Sequence, residues 1–180
     1  MRSRQSALDT LAGVRRSRGL PAHPASLPEW SFRLAGLKIT LPNFSWRRGA
    51  IDKHDLHHLV LDEPFNLKGE CQVATWEFAA GAYPDVRAQL FCLPLVALGA
   101  ATAPMRTWRS YASGRRSDSL YRTALDPALS IEELKTLTME KRLCAPARVK
   151  SGFARLLAAS ASLYLAPLAL VGVIIAASLF

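Results

Sequence analysis

Three of the four histidines in this chain lie within one short segment, residues 51–58. If the segment is helical, His54 and His58 are four residues apart and lie about 40° from each other around the axis. Asp55 then lies roughly 60° from His58, so all three side chains can face one point. In the H-E-x-x-H zinc helix the same histidine spacing brings two imidazoles to one ion. The segment therefore predicts a metal site with His54, Asp55 and His58 as ligands.

A second carboxylate lies within reach of this site. Glu70 follows His58 in the sequence, and Pro64 between them excludes one continuous helix. A second helix can fold back across the turn and present Glu70 to the same ion, and Gly69 permits the two helices to approach closely. Two imidazoles and two carboxylates suit Zn(II), Fe(II) or Mn(II) rather than copper(I). The predicted ligand set is therefore His54, Asp55, His58 and Glu70.

Two neighbouring residues are further candidates. Glu77 lies seven residues after Glu70 and is a possible substitute ligand or base, whereas His57 points away from the predicted ion and is a candidate for a supporting or surface role. The H-D-x-x-H spacing taken alone is also compatible with a solvated helix face. The downstream glutamate is what favours the metal site.

Local signals predict a mainly α fold with few strands. A helix is expected to begin near Ile51, and a second to run from about Leu67 to Ala80, where Gly81 ends it. Ser130 and Glu133 have the spacing of a capping box, which predicts a helix reaching roughly Leu143. This last helix belongs with the first two to a small helical domain, residues 29–147.

Residues 28–48 are rich in aromatic and alternating apolar side chains, and Pro42 interrupts them. We expect irregular or short extended structure there.

Residues 88–105 form an uncharged run that two prolines interrupt, and at 18 residues it is at the lower margin for a membrane crossing. Packing in the core or at a membrane interface is the expectation for this run.

The C-terminal segment from Leu156 to Phe180 has no charged side chain over 25 residues. As a helix it spans about 37 Å, enough to cross a bilayer with some tilt. Arg148, Lys150 and Arg155 precede it, and the positive-inside tendency then keeps the main domain on the cytoplasmic side. Residues 148–180 are therefore predicted to be a juxtamembrane segment and a single-pass C-terminal transmembrane helix.

The N-terminal residues 1–28 are rich in arginine and end in a stretch with three prolines. We expect this basic arm to be poorly ordered. It has the composition of a mitochondrial transit peptide, but a basic arm that touches anionic lipid has the same composition. Both interpretations stay open.

The charge of the chain narrows the class of partner only in part. A formal net charge of +9 and a pI near 10.0 suit phosphate groups, nucleic acid or an anionic membrane surface. The predicted anchor argues against nucleic acid. The three cysteines form no C-x-x-C pair, so neither a disulfide framework nor a thiolate zinc site is expected.

The motif His54-Asp55-x-x-His58-x11-Glu70 resembles the metal-ligand motif of the coenzyme Q (ubiquinone) biosynthesis protein number four family. The Gly69-Glu70 pair and the aromatic-rich helix after it are similar to the central region of that family. The stretch Gly114-Arg115-Arg116-Ser117 is similar to a later segment of it. The resemblance covers residues 53–143, about half of the chain.

This resemblance implies an α-helical, membrane-associated protein that binds a metal ion, zinc above all, through His54, Asp55, His58 and Glu70. The implied activity is that of a lyase of quinone biosynthesis, which removes the ring carboxyl group of a polyprenylated benzoquinone precursor with hydroxylation at the same carbon. The implied location is a bacterial inner membrane or the matrix side of the mitochondrial inner membrane. Other quinone biosynthesis enzymes, or a second copy of the chain, are the implied protein partners.

A non-catalytic role remains open beside the enzymatic one. In that alternative the protein binds a prenyl lipid and organises biosynthetic enzymes at the membrane, and the metal ion holds two helices together. An exchangeable coordination position that activity depends on separates the two hypotheses.

Overall fold

A computed structural model describes residues 5–34, 36–139 and 145–177. For residues 32–34, 147 and 166–177 it describes the backbone alone. The described part is mainly helical and also contains one two-stranded antiparallel sheet. The helices are α1 (Ala7–Ser17), α2 (Ser45–Val60), α3 (Leu67–Ala80), α4 (Val86–Thr102), α5 (Pro104–Gly114), α6 (Ile131–Thr138) and α7 (Pro146–Ala177). The strands are β1 (Glu29–Leu34) and β2 (Leu37–Pro42), and single 3-10 turns lie at Pro24–Ser26 and Leu120–Arg122.

The central element is α3, which packs against α4, α5 and α2. Its buried residues are spread around the axis and include the polar Gln72 and Glu77, and Val73, Ala74 and Trp76 are fully buried. A helix buried on several faces needs neighbours on each of them, and α2, α4 and α5 are these neighbours. This is why α3 lies inside the molecule and carries the glutamates of the predicted site into it.

A hydrophobic cluster holds the C-terminal half of α2 in place. Leu56 and Val60 of α2 pack with Leu11 of α1, Leu120 of the second 3-10 turn and Leu134 of α6. Each buried leucine contributes about 1.5–3 kcal/mol relative to an exposed one. Three separate segments therefore fix the helix that presents the histidines.

The local helix signals of the sequence are confirmed where they depend on nearby residues. Helix α3 has the predicted bounds, Asn66 caps its first turn, and Gly81 ends it with a φ of 141°. The capping box of Ser130 and Glu133 is present at the start of α6. The predicted end of that helix, residues 140–144, lies outside the described residues.

The N-terminal arm is the clearest correction to the sequence analysis. Residues 7–17 form helix α1 instead of a poorly ordered segment. Ser6 caps the helix, and Leu11 is inserted into the core. The backbone N–H of Ala7 donates to the carbonyl of Leu129 at 2.7 Å. The arginines had suggested disorder, but one of them, Arg15, is buried in an ion pair.

Two further differences concern the segment before the site. Helix α2 begins at Ser45, earlier than the expected Ile51, and residues 29–42 form a β-hairpin in which Trp30 pairs with Leu41. The short extended structure predicted from the alternating apolar residues is therefore present as two paired strands. Its two strands alone would be only marginally stable in water, and the contact of Trp30 with Phe91 of α4 adds support.

The structure describes only part of the predicted C-terminal transmembrane helix. Helix α7 includes residues 146–177, and its N-terminal half packs on α4 and α5. Within the described residues, no helix is both long enough and apolar enough to cross a membrane. Most of the predicted anchor, residues 166–180, lies outside the described side chains, so the anchor stays a prediction.

Candidate metal centre

Three of the four predicted ligands converge between α2 and α3. One potential ligand atom from each of His54, His58 and Glu70 lies within 4.8 Å of the other two. Nε2 of His54 is 3.0 Å from Oε2 of Glu70, and Nε2 of His58 is 3.3 Å from Oε1. Each carboxylate oxygen therefore faces one imidazole nitrogen.

The approach of α3 to the turn before it depends on Gly69. A Cβ atom at this position would lie 1.8 Å from the carbonyl oxygen of Pro64, a distance that no side chain tolerates. Glycine therefore permits the close packing that sets the position of Glu70, the next residue along the helix. Glu70 also lies in the first turn of α3, where the helix dipole favours a negative charge.

Asp55, the fourth predicted ligand, is not part of this group. Its Oδ2 accepts a hydrogen bond from Nε of Arg15 at 2.8 Å and lies 2.6 Å from Nη2 of the same side chain. Arg15 also donates through Nη1 to Asp52 at 2.8 Å. The structure therefore uses Asp55 to attach α1 to α2.

Behind the three ligands lies a second carboxylate, Glu77, whose side chain is fully buried. Its Oε1 lies 2.6 Å from Nδ1 of His57, 3.1 Å from Nδ1 of His54 and 3.0 Å from the hydroxyl of Tyr121. All three groups can donate a hydrogen bond, whereas an ionised carboxylate has no proton and can only accept. Glu77 is therefore a buried anion compensated by three donors.

The hydrogen bonds around Glu77 fix the tautomer of His57. The backbone N–H of Leu120 donates to Nε2 of His57 at 3.0 Å, so this nitrogen carries a lone pair and Nδ1 carries the proton. Burial lowers the pKa of His57 below its ordinary value, although Glu77 opposes this effect. His57 is therefore a neutral donor to Glu77, which is a supporting role.

The same reasoning directs the lone pair of His54 toward Glu70. Nδ1 of His54 faces the Glu77 carboxylate and must carry a proton, so in the neutral imidazole the Nε2 lone pair faces Oε2 of Glu70. Two acceptors at 3.0 Å repel unless a positive charge lies between them. Burial acts to lower the pKa of His54, but the charges and hydrogen bonds of Glu77 and Glu70 outweigh it and hold the pKa well above its ordinary value.

His58 provides an independent test of whether the site suits a cation. Its Nδ1 lies 3.3 Å from the carbonyl oxygen of Glu63, which can only accept, so Nδ1 is the protonated nitrogen. Its Nε2 is buried without a hydrogen-bond partner, and its neighbour is the Glu70 carboxylate. A buried lone pair beside a carboxylate is what a divalent cation needs, and the residues therefore fit a metal ion.

The charge state of the two glutamates agrees with this interpretation. Burial acts to raise the pKa of Glu70, but the two neighbouring imidazoles, His54 and His58, outweigh burial and leave the pKa well below the ordinary value. The pKa of Glu77 is also held well below its ordinary value, because His54 and His57 outweigh burial there. Both side chains are therefore carboxylates at neutral pH.

Two imidazoles and one carboxylate form a ligand set used by zinc hydrolases and by non-haem iron enzymes, which leave other coordination positions open. The supporting partner of the first histidine also matches metal sites, in which a ligating imidazole donates its other N–H to a carboxylate. Glu70 is 35% exposed, so the site opens to solvent on the side of that ligand.

Comparison with known proteins gives no further assignment. No family model, curated protein or solved structure matches this chain at a significant level. The resemblance to the coenzyme Q protein family therefore depends on the motif residues alone and stays a prediction.

The sequence analysis missed the partners that complete the site. Glu77 was a candidate only as a substitute ligand or base, yet it lies two helical turns after Glu70 on the same face of α3. That spacing was a usable signal for a second carboxylate behind the first. Tyr121 and Arg15 gave no such signal, because they are distant in sequence from the residues they bind.

Proposed function

We propose that this chain is a metal-dependent protein of ubiquinone biosynthesis that binds one divalent ion through His54, His58 and Glu70. The observation that supports the proposal is the convergence of these three ligand atoms within 4.8 Å, with Nε2 of both imidazoles facing one carboxylate. A proton or a cation must compensate this arrangement, and a divalent ion can accept all three ligands at once.

Zinc is the proposed ion, and Fe(II) or Mn(II) suit the same donors. When bound, such an ion supplies a Lewis acid that stabilises negative charge on a carboxylate or phenolic oxygen. The residues of the chain provide the rest. Glu77 holds the N–H of His54 away from the ion, neutral His57 holds Glu77, and the partly exposed Glu70 leaves a side open to substrate.

The proposed substrate is a polyprenylated benzoquinone precursor. It would lose its ring carboxyl group as carbon dioxide and gain a hydroxyl group at the same carbon. Dioxygen would supply the hydroxyl oxygen, with a two-electron reductant converting the second oxygen atom to water, because zinc itself supplies no redox step. Such a molecule is held in a lipid bilayer by its prenyl chain. We propose accordingly that the protein works at a membrane, the bacterial inner membrane or the matrix side of the mitochondrial inner membrane. Membrane lipids, other quinone biosynthesis enzymes or a second copy are its proposed partners.

The second candidate function is a prenyl-lipid-binding scaffold without catalysis. One observation favours it: the ligands come from two helices, with His54 and His58 on α2 and Glu70 on α3, so an ion would join these helices as a structural brace. A structural site has a full set of protein ligands, whereas a catalytic site keeps an exchangeable position. The exposure of Glu70 favours the catalytic candidate.

Elemental analysis of purified protein tests the proposal. The wild type and a His58→Ala, Glu70→Ala double variant are purified in detergent without chelator, with Glu132→Gln as a control for a lost surface carboxylate. Near-stoichiometric metal in the wild type and the control, with loss in the double variant, supports the site. Equal trace metal in all three proteins rejects a metal-dependent function.

The catalytic and scaffold candidates need a second measurement. The loaded wild type is mixed with a prenylated hydroxybenzoate, and carbon dioxide release and ring hydroxylation are followed by mass spectrometry. Turnover that ends when an exogenous ligand such as azide fills the open coordination position supports catalysis. Tight binding of the prenylated compound with no product favours the scaffold.

A further inference from the structure

Helix α4 presents apolar side chains to solvent along its N-terminal half. Val86, Leu90 and Phe91 are 63%, 54% and 45% exposed, and they fall within an arc of about 140° around the helix. After Arg87 the helix contains no charged residue up to its end at Thr102. We call this exposed surface of α4, together with the residues of α2, the hairpin and α7 that adjoin it, the apolar face.

The apolar face continues through an aromatic cluster. The ring of Phe91 contacts the ring of Trp30 at 5.7 Å and that of Trp46 at 5.8 Å between centroids. Phe44, which is exposed, stacks on Trp46 at 6.0 Å. The guanidinium of Arg47 lies over the ring of Trp30 at 4.3 Å. The face therefore joins α4 to the start of α2 and to the hairpin, and it includes a cation.

The hairpin extends the face further. Trp30 pairs with Leu41 across the two strands, and alternation along β2 places Leu37 and Ile39 on the same side of the hairpin as Leu41. Leu37 at the end of the hairpin is 72% exposed. A large apolar side chain is thus presented at the far end of the face.

At its opposite end the apolar face reaches α7. The hydroxyl of Tyr164 donates to the carbonyl of Pro94 at 3.0 Å, and Pro94 lies between Leu90 and Phe91 in angle, one turn further along α4. Tyr164 and its neighbours in α7, Leu163 and Leu165, are exposed, and from there the sequence stays uncharged to its end. The face is therefore continuous with the segment predicted to enter a membrane.

Contiguous apolar surfaces of this kind mark binding sites for a protein or a membrane. Tryptophan, phenylalanine and leucine beside arginine are the side chains enriched where proteins lie at the interface of an anionic bilayer. We propose that the apolar face lies on an anionic lipid bilayer, with Trp30, Trp46 and Phe91 at the level of the headgroups. The proposal rests on the proposed function in that a polyprenylated substrate must be collected from a bilayer.

Tryptophan quenching tests the contact directly. The full-length protein is reconstituted into vesicles of phosphatidylglycerol and brominated phosphatidylcholine, whose bromine atoms quench only tryptophans that reach the bilayer. The wild type is compared with a Trp30→Phe, Trp46→Phe variant, which keeps the buried Trp76 and the partly buried Trp108. We expect quenching in the wild type and its near-complete loss in the variant.

A second pair of variants tests the face without altering its aromatic rings. Val86→Ser with Leu90→Ser removes two exposed apolar groups, and Leu137→Ser on α6 is the matched control because Leu137 is also exposed. Because two apolar groups are no longer buried in the bilayer, the ratio of membrane-bound to unbound apolar face should fall by about tenfold or more. Quenching of the two tryptophans is then expected to fall in the double variant and to stay unchanged in the control.

Two outcomes overturn the proposal. If the reconstituted wild type shows no quenching beyond that of the Trp30→Phe, Trp46→Phe variant, the face does not touch the bilayer. If the protein in detergent is a dimer that the Val86→Ser, Leu90→Ser variant disrupts, a second copy covers the face. Metal content is measured on the same samples, so failure of this proposal is distinguishable from failure of the metal site.

Discussion

Nδ1 of His54 lies 3.1 Å from Oε1 of Glu77, whereas Nε2 of the same ring faces Glu70. One imidazole thus bridges two carboxylates, of which Glu77 is fully buried and Glu70 is partly exposed. The buried carboxylate sets the direction of the ring and the exposed one completes the ligand set. Glu77 therefore orients a ligand of the site through the ring of His54.

Replacement of Glu77 by glutamine should weaken metal binding by about 10–100-fold, the usual cost of losing the carboxylate behind a ligating histidine. An amide carries no charge, and its NH2 group cannot accept from Nδ1 of His54. Competition with a chromogenic chelator measures the affinity. The control is Glu132→Gln, which removes an exposed carboxylate of α6. Equal affinity in wild type and Glu77→Gln would contradict the supporting role.

Metal binding should raise the thermal stability of the protein. An ion at a hundred times its dissociation constant contributes about 2.7 kcal/mol, which corresponds to a rise in Tm of about 5–11 °C for a chain of this size. Differential scanning fluorimetry with zinc and with chelator measures the shift. The His58→Ala, Glu70→Ala variant should show no shift, and an equal shift in that variant would place the ion elsewhere.

Metal binding should also release a proton near neutral pH. The pKa of His54 lies well above its ordinary value in the metal-free protein, so Nε2 carries a proton that the ion displaces. Affinity should therefore rise with pH until the pH exceeds the pKa of His54, and then level off. Calorimetry in two buffers of different ionisation enthalpy counts the protons. Zero release at neutral pH would mean that His54 is already neutral.

The raised pKa of His54 has a second consequence, for the stability of the metal-free protein. A histidine whose pKa is higher in the folded than in the unfolded state stabilises the fold below the unfolded value, about 6.5, and loses this contribution as pH rises through the folded value. The free energy of unfolding of the metal-free protein should thus fall at alkaline pH. Urea unfolding of wild type beside His54→Gln tests this, because the variant should lack that loss.

The local structure could be predicted from the sequence, but the pairings that build the site could not. The ends of α3 and the capping box of Ser130 involve contacts within four residues, so their signals are visible in the sequence. Glu77 bonds to His57 and Tyr121 across 20 and 44 residues, and a pattern of residue types does not specify such pairs. Three of the predicted ligands were recognisable because helix periodicity relates His54 to His58, and Pro64 marks the turn before Glu70.

The assignment of Asp55 shows the limit of the helix wheel. An angle of about 60° from His58 is compatible with a shared ligand set, but Arg15, 40 residues earlier, binds Asp55 instead. The arginine-rich composition of residues 1–28 concealed this partner. Composition describes an average over the arm, whereas a single buried arginine fixes its structure.

Asp55→Asn should therefore leave metal content unchanged but destabilise the fold. The Arg15 and Asp55 side chains are 3% and 13% exposed, and loss of one member of a buried ion pair costs about 3–5 kcal/mol where the other charge is left without a partner. Arg15 keeps its bond to Asp52, so the expected cost is below that range. Urea unfolding gives the stability and elemental analysis gives the metal content. Part of the cost should be recovered in an Arg15→Met, Asp55→Asn double variant. Loss of the metal in a folded Asp55→Asn protein would instead identify Asp55 as a ligand.

Gly69→Ala should disrupt the site through backbone packing alone. The new Cβ would lie 1.8 Å from the carbonyl oxygen of Pro64, and a backbone atom cannot move aside as a flexible side chain can. We expect α3 to shift at its first turn, so that Glu70 moves relative to His54 and both stability and metal affinity fall. The matched control is Gly49→Ala in α2, where nothing lies within 4 Å of the new Cβ.

The control should be stabilised by up to about 1 kcal/mol, because alanine is the better helix former. Urea unfolding and chelator competition on both variants separate the two effects. If Gly69→Ala unfolds like the control and keeps its metal, the close approach of α3 to the turn is not what positions Glu70. If stability falls but affinity does not, the glycine supports the fold without setting the ligand geometry.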